Sequence, residues 1–433
     1  MASLQTLDQG SSSLNASSPD LTTIAQQAQQ SSLALSALRG MDRSRALQFM
    51  AEALLDRQND ILEANTLDLE ASREMAIPEL VLEWLKLTPE RLQTAGQILQ
   101  RLSELSDPIQ PILNTPSYQV DQCQTYCQLM PLGVIALIYE ALPELGAIAA
   151  GMCLRSANSL ILRGGAEASH SNQIIAETLR LAIEDAGLPG DCLQFLPAEQ
   201  GDVIRELVTL DRYINLVVPY GRSSLVQQVI RQATAPVLRT AIGNCYLYWS
   251  PTGSLDIARW MILDSHQTEP DPVNAIEKVL IHRQHSSTAL NMLWNSLKDK
   301  GFHLRGDAEL ASEFPDIFSA MADAAEWNRA YLSNTIAFKV VDSLENAIDW
   351  INQHSSGHAD CLATESYQES RQFATSINSA IAYINASPRF HRNPKRGTPI
   401  ALGMSNQKGH RRGLISLESL TTVKYIVQGN GIN

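Results

Sequence analysis

The sequence predicts an α/β protein with two lobes, each built on a mostly parallel sheet. Short apolar runs, suited to buried strands, alternate with longer helical segments, which is typical of doubly wound sheets. This pattern restarts after about residue 265, and a chain of 433 residues is too long for one compact core. We therefore expect a first lobe that ends near 265 and a second lobe that begins there.

The segments before the first sheet are predicted to be a tail, a helical section and a hairpin. Residues 1–19 are rich in Ser, Gln and Asn and lack the pattern of a secretory signal, so a flexible tail is expected. Residues 20 to about 106 have apolar residues at helical spacing, and Thr88-Pro89 is typical of a helix start. Residues 110–130 are short, alternating and turn-rich, as in an extended hairpin.

The strands follow from apolar runs, and the run at 132–139 is long enough for one buried strand. The first lobe is expected to contain strands at 132–139, 159–162, 194–196, 215–218, 237–238 and 245–248, with helices at 145–156 and after 165. The second lobe is expected to contain strands at 279–282, 336–341 and 381–385, and the last strand is expected at 423–427.

Composition excludes several classes of function. A net charge of −13 argues against a nucleic-acid-binding protein, because phosphates select basic surfaces. No run approaches the roughly 20 apolar residues of a membrane span. The six cysteines are scattered without CxxC spacing or a second ligand pair, so no metal site is predicted. Reduced thiols and a cytoplasmic location are expected.

Seven blocks of the sequence occur in an order that resembles one known family. The blocks lie at 61–69, 85–91, 131–135, 139–141, 161–168, 385–390 and 417–425. They resemble gamma-glutamyl phosphate reductase (glutamate-5-semialdehyde dehydrogenase), within the aldehyde dehydrogenase superfamily. The resemblance runs from about residue 22 to the end and implies an aldehyde-dehydrogenase-like fold.

The resemblance also implies a division of the chain and an activity. Residues 20–109 and 131–265 would form a Rossmann-type cofactor domain, 266–387 a catalytic domain, and 110–130 with 388–433 a small β element that bridges subunits. The implied reaction is NADPH-dependent reduction of L-glutamate 5-phosphate to L-glutamate 5-semialdehyde and phosphate, in proline biosynthesis. The implied partners are a glutamyl phosphate-like substrate, NADP(H), further copies of the chain and glutamate 5-kinase.

The resemblance places an inert residue where the family has its nucleophile. A cysteine in the family stands just before the Asn of Asn-Ala-x-Glu and starts a helix, and this chain has Val273 there. An isopropyl group cannot attack an acyl phosphate. Asn274 and the first N–H groups of the expected helix are candidate oxyanion donors. Cys245 is a candidate substitute thiol, although a small buried residue is its plainer interpretation.

Two strand-to-helix turns are the candidate cofactor site. The first would hold the adenosine end of NADP(H), with Arg163 on the 2′-phosphate; its alternative is a tight turn with a solvated Arg. In the family, the second turn has the sequence Pro-Arg-Gly-Gly and lies beside the pyrophosphate. This chain has Tyr220 in place of the Arg, and its cation, Arg222, stands two positions further along. The candidate cofactor residues are Arg163, Gly164, Gly165, Glu167, Gly221, Arg222 and Ser223.

The candidate substrate residues lie in the second lobe and the C-terminal section. Asn385, Ser387 and Arg389 are the best candidates for binding the substrate's anionic groups. His358 is either structural or a substrate contact. The chain also departs from the family near this site: Leu142 and Glu144 replace an Arg and an Asn, and Trp350 and Ala359 replace a His and a Ser or Thr. A basic cluster at Lys408, His410, Arg411 and Arg412 has two interpretations, a phosphate-binding site and a solvated surface loop.

Three hypotheses follow. The first is an NADPH-dependent gamma-glutamyl phosphate reductase. The second is a catalytically impaired paralogue that binds nucleotide, a glutamate-like ligand or a partner protein. The third is an enzyme with a non-covalent route to another substrate, for which no specific residue set is evident. Whole-chain resemblance favours the first hypothesis, and Val273 favours the second.

Overall fold

The N-terminal section is helical, as predicted. The computed structural model describes residues 20–109, 112–113, 123–198, 203–267, 270–321, 323–394, 399–408 and 411–429, so the expected tail at 1–19 lies outside the described residues. The helices are α1 (Leu21–Ala37), α2 (Gly40–Asp56), α3 (Gln58–Glu74), α4 (Glu79–Leu85) and α5 (Pro89–Glu104). The Thr88 side chain accepts a hydrogen bond from the N–H of Arg91, so α5 begins with the predicted cap.

The first lobe is a parallel sheet with helices on both faces. Its sheet has the order β5-β4-β3-β6 in the described residues. The elements from 112 to 232 are β1 (Ile112–Leu113), β2 (Cys123–Pro131), β3 (Val134–Tyr139), α6 (Pro143–Arg155), β4 (Ser159–Gly164), α7 (Ser169–Asp185), β5 (Leu193–Phe195), α8 (Val203–Thr209), β6 (Leu216–Tyr220) and α9 (Ser223–Gln232). The predicted strand at 237–238 is only an isolated bridge between Val237 and Val217.

The second lobe is a larger parallel sheet of order β10-β9-β11-β8-β7-β12-β13 within the described ranges. Its elements are β7 (Cys245–Trp249), α10 (Leu255–Ser265), β8 (Ile276–His282), α11 (Ser287–Asp299), β9 (His303–Gly306), α12 (Ala308–Glu313), β10 (Ser319–Ala320), β11 (Thr335–Val341), α13 (Leu344–His354), β12 (Ala359–Ala363), α14 (Tyr367–Ser376) and β13 (Ile381–Ile384).

The boundary between the lobes differs from the prediction. Strand β7 was expected in the first lobe, within 131–265, but it pairs with β8 and β12 of the second sheet. All five of its side chains are buried there, and Leu247 and Trp249 pack in the same apolar cluster as α10. Periodicity identifies a strand but not its neighbours, because strand pairing is a long-range interaction. The end of the first lobe therefore lies before β7.

The described part of the C-terminal section contains the strands β14 (Met404–Ser405), β15 (Gly413–Leu414) and β16 (Thr421–Gly429). Strand β16 pairs antiparallel with β2 along its whole length, from Thr421 opposite Pro131 to Gly429 opposite Cys123. Val423, Tyr425 and Val427 are exposed on it. The final strand was predicted, and its role as a bridge between subunits stays a prediction. No helix in the described part of the chain is long and apolar enough to cross a membrane.

Candidate active site

Val273 lies in a turn between α10 and β8, and its side chain is fully buried. It packs with Phe390, Ala401 and Met404 in a small apolar cluster. Its carbonyl oxygen accepts hydrogen bonds from the Gly243 N–H at 2.9 Å and from Nε2 of His358 at 2.8 Å. The turn is thus held through its backbone, and the side chain offers no group that could react.

The helix expected to start at this turn does not form. Residues 273–274 are a turn, and strand β8 begins at Ile276, so Asn274 does not present helix-start N–H groups. The run from Ile276 to His282 is buried along its whole length in the middle of the second sheet, which favours a strand. The Asn274 side chain donates to the Pro388 carbonyl at 2.8 Å. The prediction of helical oxyanion donors is therefore wrong.

Cys245 is close to the turn but is a poor nucleophile. Its Sγ lies 3.3 Å from Nε2 of His358, and burial raises the thiol pKa well above its usual value. Burial lowers the pKa of His358 to about 4, so the imidazole is neutral near pH 7. Nε2 must carry the proton to donate to the Val273 carbonyl, while Nδ1 faces Ser356 Oγ at 2.9 Å. His358 therefore cannot act as a base on Cys245 through that nitrogen.

A buried network joins the first lobe, the turn and the C-terminal section. The Tyr220 hydroxyl donates to the Asp271 carboxylate, and Arg392 Nη2 lies 2.8 Å from Asp271 and 2.7 Å from the Tyr220 oxygen. Tyr220 replaces the family's Arg in the second turn, and its ring lies beneath Gly403, whose added Cβ would meet it at 2.4 Å. Sequence reasoning missed Asp271 and Arg392, and no local motif marks either residue.

A cleft of about 670 Å³ lies between α5, α6 and the segment at 389–393. Three of its lining side chains are cationic: Arg91, Arg389 and Arg392. Glu144, at the start of α6, pairs with Arg91 at 2.5 Å. Arginine side chains in a protein of net charge −13 make this cleft suited to an anionic ligand.

Of the predicted substrate residues, Arg389 lines this cleft, and all four have protein partners. Asn385 exchanges hydrogen bonds with the Thr364 backbone at 2.9 and 2.6 Å. Ser387 donates to Asp264, which also pairs with Arg389 at 3.5 Å. His358 is hydrogen-bonded to the carbonyl oxygen of Val273. In the basic cluster, Arg411 pairs with Glu418 and Arg412 donates to Asn378, while His410 lies outside the described residues.

The predicted cofactor residues meet at the carboxyl edge of the first sheet, where β3, β4 and β6 end. Arg163 is buried and donates to the carbonyls of Gly164 and Ala198, so it is not solvated. Glu167 accepts from the Ala141 N–H, and burial raises its carboxyl pKa. An added Cβ at Gly165 would meet the Glu167 carboxylate at 2.0 Å, so this turn requires a glycine unless Glu167 moves.

The second turn at this edge leads into α9. Gly221 has a φ of 147°, and its added Cβ would meet Glu140 at 2.6 Å. The backbone N–H and guanidinium of Arg222 both donate to Glu140. No side chain caps the start of α9, at Ser223, among the residues described. Uncapped N–H groups at a helix start, at this edge of a parallel sheet, suit an anionic group such as a nucleotide phosphate.

Comparison with known proteins agrees with this architecture. The model of the aldehyde dehydrogenase family matches residues 9–243. A probable aldehyde dehydrogenase from Listeria monocytogenes is similar in fold, with a TM-score of 0.70 at 14% identity over 95% of this chain and 96% of that chain. A crystal structure of gamma-glutamyl phosphate reductase from Thermotoga maritima is more similar, with a TM-score of 0.85 at 29% identity over 96% of this chain and all of that chain.

Two relatives that are similar in sequence carry the same functional name. Gamma-glutamyl phosphate reductase 2 of Synechocystis is 54% identical over 94% of this chain and 97% of its own length. Gamma-glutamyl phosphate reductase of Gloeobacter violaceus is 39% identical over 95% and 97%. The matched family model and the shared fold define an aldehyde-dehydrogenase-type protein. Within that class, this chain belongs to the gamma-glutamyl phosphate reductase family, as its seven sequence blocks predicted.

Proposed function

We propose that this chain reduces L-glutamate 5-phosphate to L-glutamate 5-semialdehyde and phosphate, with NADPH as the reductant, in proline biosynthesis. The observation that carries the proposal is the 54% identity, over nearly the whole chain, to gamma-glutamyl phosphate reductase 2. The arginine-lined cleft between α5, α6 and the segment at 389–393 supports it, because the substrate carries a carboxylate and a phosphoryl group. Relatives named as reductases do not favour the impaired paralogue.

The residues at the edge of the first sheet fit the cofactor, since an uncapped helix start and two glycine turns meet there. Arg222 and Ser223 would hold the pyrophosphate, and Gly164, Gly165 and Glu167 would lie along the adenosine end. A bound NADPH would supply the hydride for the acyl carbon, and phosphate would leave with the electron pair of the broken C–O bond. Arg163 would have to leave its carbonyl partners to reach a 2′-phosphate.

In the proposed reaction, residue 273 forms no covalent bond to the substrate. Val273 stands, by resemblance, at the nucleophile position, and its isopropyl group cannot form a thioester. Cys245 is buried and protonated, so it does not replace the missing thiol. The substrate is therefore reduced directly, and the protein contributes binding and orientation. Positioning alone lowers barriers substantially, although covalent activation is lost.

The test is the reverse reaction of the purified full chain. Glutamate semialdehyde, phosphate and NADP⁺ are combined, and NADPH formation is followed by absorbance. Phosphate-dependent NADPH formation is expected, at rates below those of cysteine-containing relatives. A folded protein that binds NADPH by fluorescence titration but forms none would contradict the proposal and favour the impaired paralogue.

The assembly and location follow from the same proposal. Strands β2 and β16 would join copies of the chain into a homo-oligomer through their exposed face. Light scattering that gives the mass of one chain would contradict this. Glutamate 5-kinase, which makes the acyl phosphate, is the expected partner protein, and the cytoplasm the expected location.

A further inference from the structure

The cleft carries fixed charges of both signs, which a site for a simple anion does not require. Arg91, Arg389 and Arg392 line it together with Glu90 and Glu144. The Glu144 side chain is 9% exposed and that of Arg392 is 11% exposed, so both charges lie deep in the wall. Opposite charges placed this deeply restrict which ligands the cleft can accept.

The Glu144 carboxylate uses only one of its two oxygens within the protein. Oε1 accepts from Arg91 Nε at 3.0 Å and from Arg91 Nη2 at 2.5 Å. Oε2 is buried and has no hydrogen-bond partner among the described residues. A buried acceptor without a donor is costly, so a donor on the ligand would be favoured at this oxygen.

Arg392 lines the same cleft as this carboxylate and is held in place by two partners. Asp271 and Tyr220 both contact its Nη2, while its Nε is buried without a partner in the described part of the chain. Although burial lowers the pKa of Arg392, the negative charges of Asp271 and, to a smaller extent, Glu144 raise it above its usual value. Asp271 and Tyr220 therefore fix the guanidinium before a ligand arrives.

Two fixed opposite charges in one cleft match the α-ammonium and α-carboxylate of an amino acid. Glu144 repels a ligand that is only anionic, and the arginines repel a simple cation. We propose that Glu144 Oε2 accepts a hydrogen bond from the α-ammonium of the glutamyl substrate and that Arg392 donates to its α-carboxylate. This inference rests on the proposed function, because it assigns the head group of that substrate.

The test compares three ligands by calorimetric titration of the full chain. L-glutamate carries both head groups, glutarate lacks the α-ammonium, and 4-aminobutyrate lacks the α-carboxylate. Wild type should bind L-glutamate most tightly. In Glu144→Gln, binding of L-glutamate and 4-aminobutyrate should weaken by about 10- to 100-fold, the value of a charge-assisted hydrogen bond, while glutarate binding stays equal or improves. Misfolding would weaken the binding of all three ligands.

Glu90→Gln is the matched control, because Glu90 lines the same cleft but is exposed. It should leave the preference for L-glutamate over glutarate within about twofold, since a solvated charge acts weakly. An unchanged preference in folded Glu144→Gln, an equal change in Glu90→Gln, or no binding of L-glutamate by wild type would each overturn the inference. Turnover by wild type is measured separately in the reverse assay. A failure of the proposed head-group recognition can therefore be distinguished from a failure of the proposed reductase activity.

Discussion

His358 donates a hydrogen bond through Nε2 to the carbonyl oxygen of Val273, over 2.8 Å. The same nitrogen is 3.3 Å from Cys245 Sγ. The histidine therefore holds the backbone of the turn at 273 through a bond that does not involve the side chain of residue 273. This arrangement preserves the position of the turn while its side chain is inert, which allows the role of residue 273 to be tested by substitution.

Val273→Cys is expected to increase reductase turnover by at least about tenfold, which corresponds to ~1.4 kcal/mol of barrier. The thiol would occupy a position that the backbone already holds. The smaller side chain should lower the free energy of unfolding by less than about 1.5 kcal/mol. Turnover is measured in the reverse assay, and acylation is measured by mass spectrometry of the intact protein.

Val273→Ala is the control for this change, because it also removes bulk from the cluster with Phe390 and Met404 but adds no thiol. It should not increase turnover. If folded Val273→Cys is no faster than Val273→Ala and forms no acyl adduct, residue 273 does not lie at the nucleophile position.

Cys245→Ala is expected to leave turnover within about twofold of wild type, because the burial-raised thiol pKa keeps this group protonated. Loss of the buried sulfur should lower the free energy of unfolding by about 1–2 kcal/mol. Cys361→Ala is a matched control, since its thiol lies fully buried in the same sheet. A tenfold loss of turnover in Cys245→Ala alone would identify Cys245 as the substitute nucleophile.

His358 and Asp360 should give opposite dependences of stability on pH. Burial lowers the His358 pKa to about 4 in the folded state, against about 6.5 when unfolded, so its contribution is lost as pH falls from 6.5 to 4. Burial raises the Asp360 pKa to about 7, against about 3.9 when unfolded, so its contribution is lost as pH rises from 4 to 7. The two effects partly cancel in wild type.

Single variants separate these effects in urea unfolding at pH 4.5 and pH 7. Relative to wild type, His358→Gln should gain stability as pH falls, and Asp360→Asn should gain stability as pH rises, each by up to about 3 kcal/mol. The sign of each difference is the readout, since the loss of packing in each variant is the same at both pH values. Parallel pH profiles for wild type and both variants would mean that neither group titrates with a shifted pKa.

The strands of the first sheet could be predicted because each is an apolar run, as at Val134–Tyr139 and Ser159–Gly164. The place of Cys245–Trp249 could not, because a fully apolar strand fits the middle of either sheet. The error at Ile276 has a different origin: the helix was expected from the family resemblance, whereas the buried run forms a strand. Local pattern identified the strands of the first sheet, but the partners of a strand follow from tertiary packing.

The candidate site was less predictable than the fold. Arg389 was expected to bind an anion and does line the cleft. The pair of Arg91 and Glu144 spans 53 residues, and that of Asp271 and Arg392 spans 121. No spacing rule connects residues so far apart, and the family resemblance marked only Glu144 as unusual. The cleft therefore emerged from the packing of three segments.

Tyr220→Phe is expected to lower the free energy of unfolding by about 1–3 kcal/mol, because it removes a donor from the buried Asp271 carboxylate. The ring would still fill the space beneath Gly403, so packing is retained. Urea unfolding of wild type and variant gives the difference. Tyr367→Phe, at a residue that is 79% exposed, is the matched control and should change stability by less than about 0.5 kcal/mol. Equal stabilities of Tyr220→Phe and wild type would mean that Arg392 alone satisfies Asp271 and that the network does not require the hydroxyl.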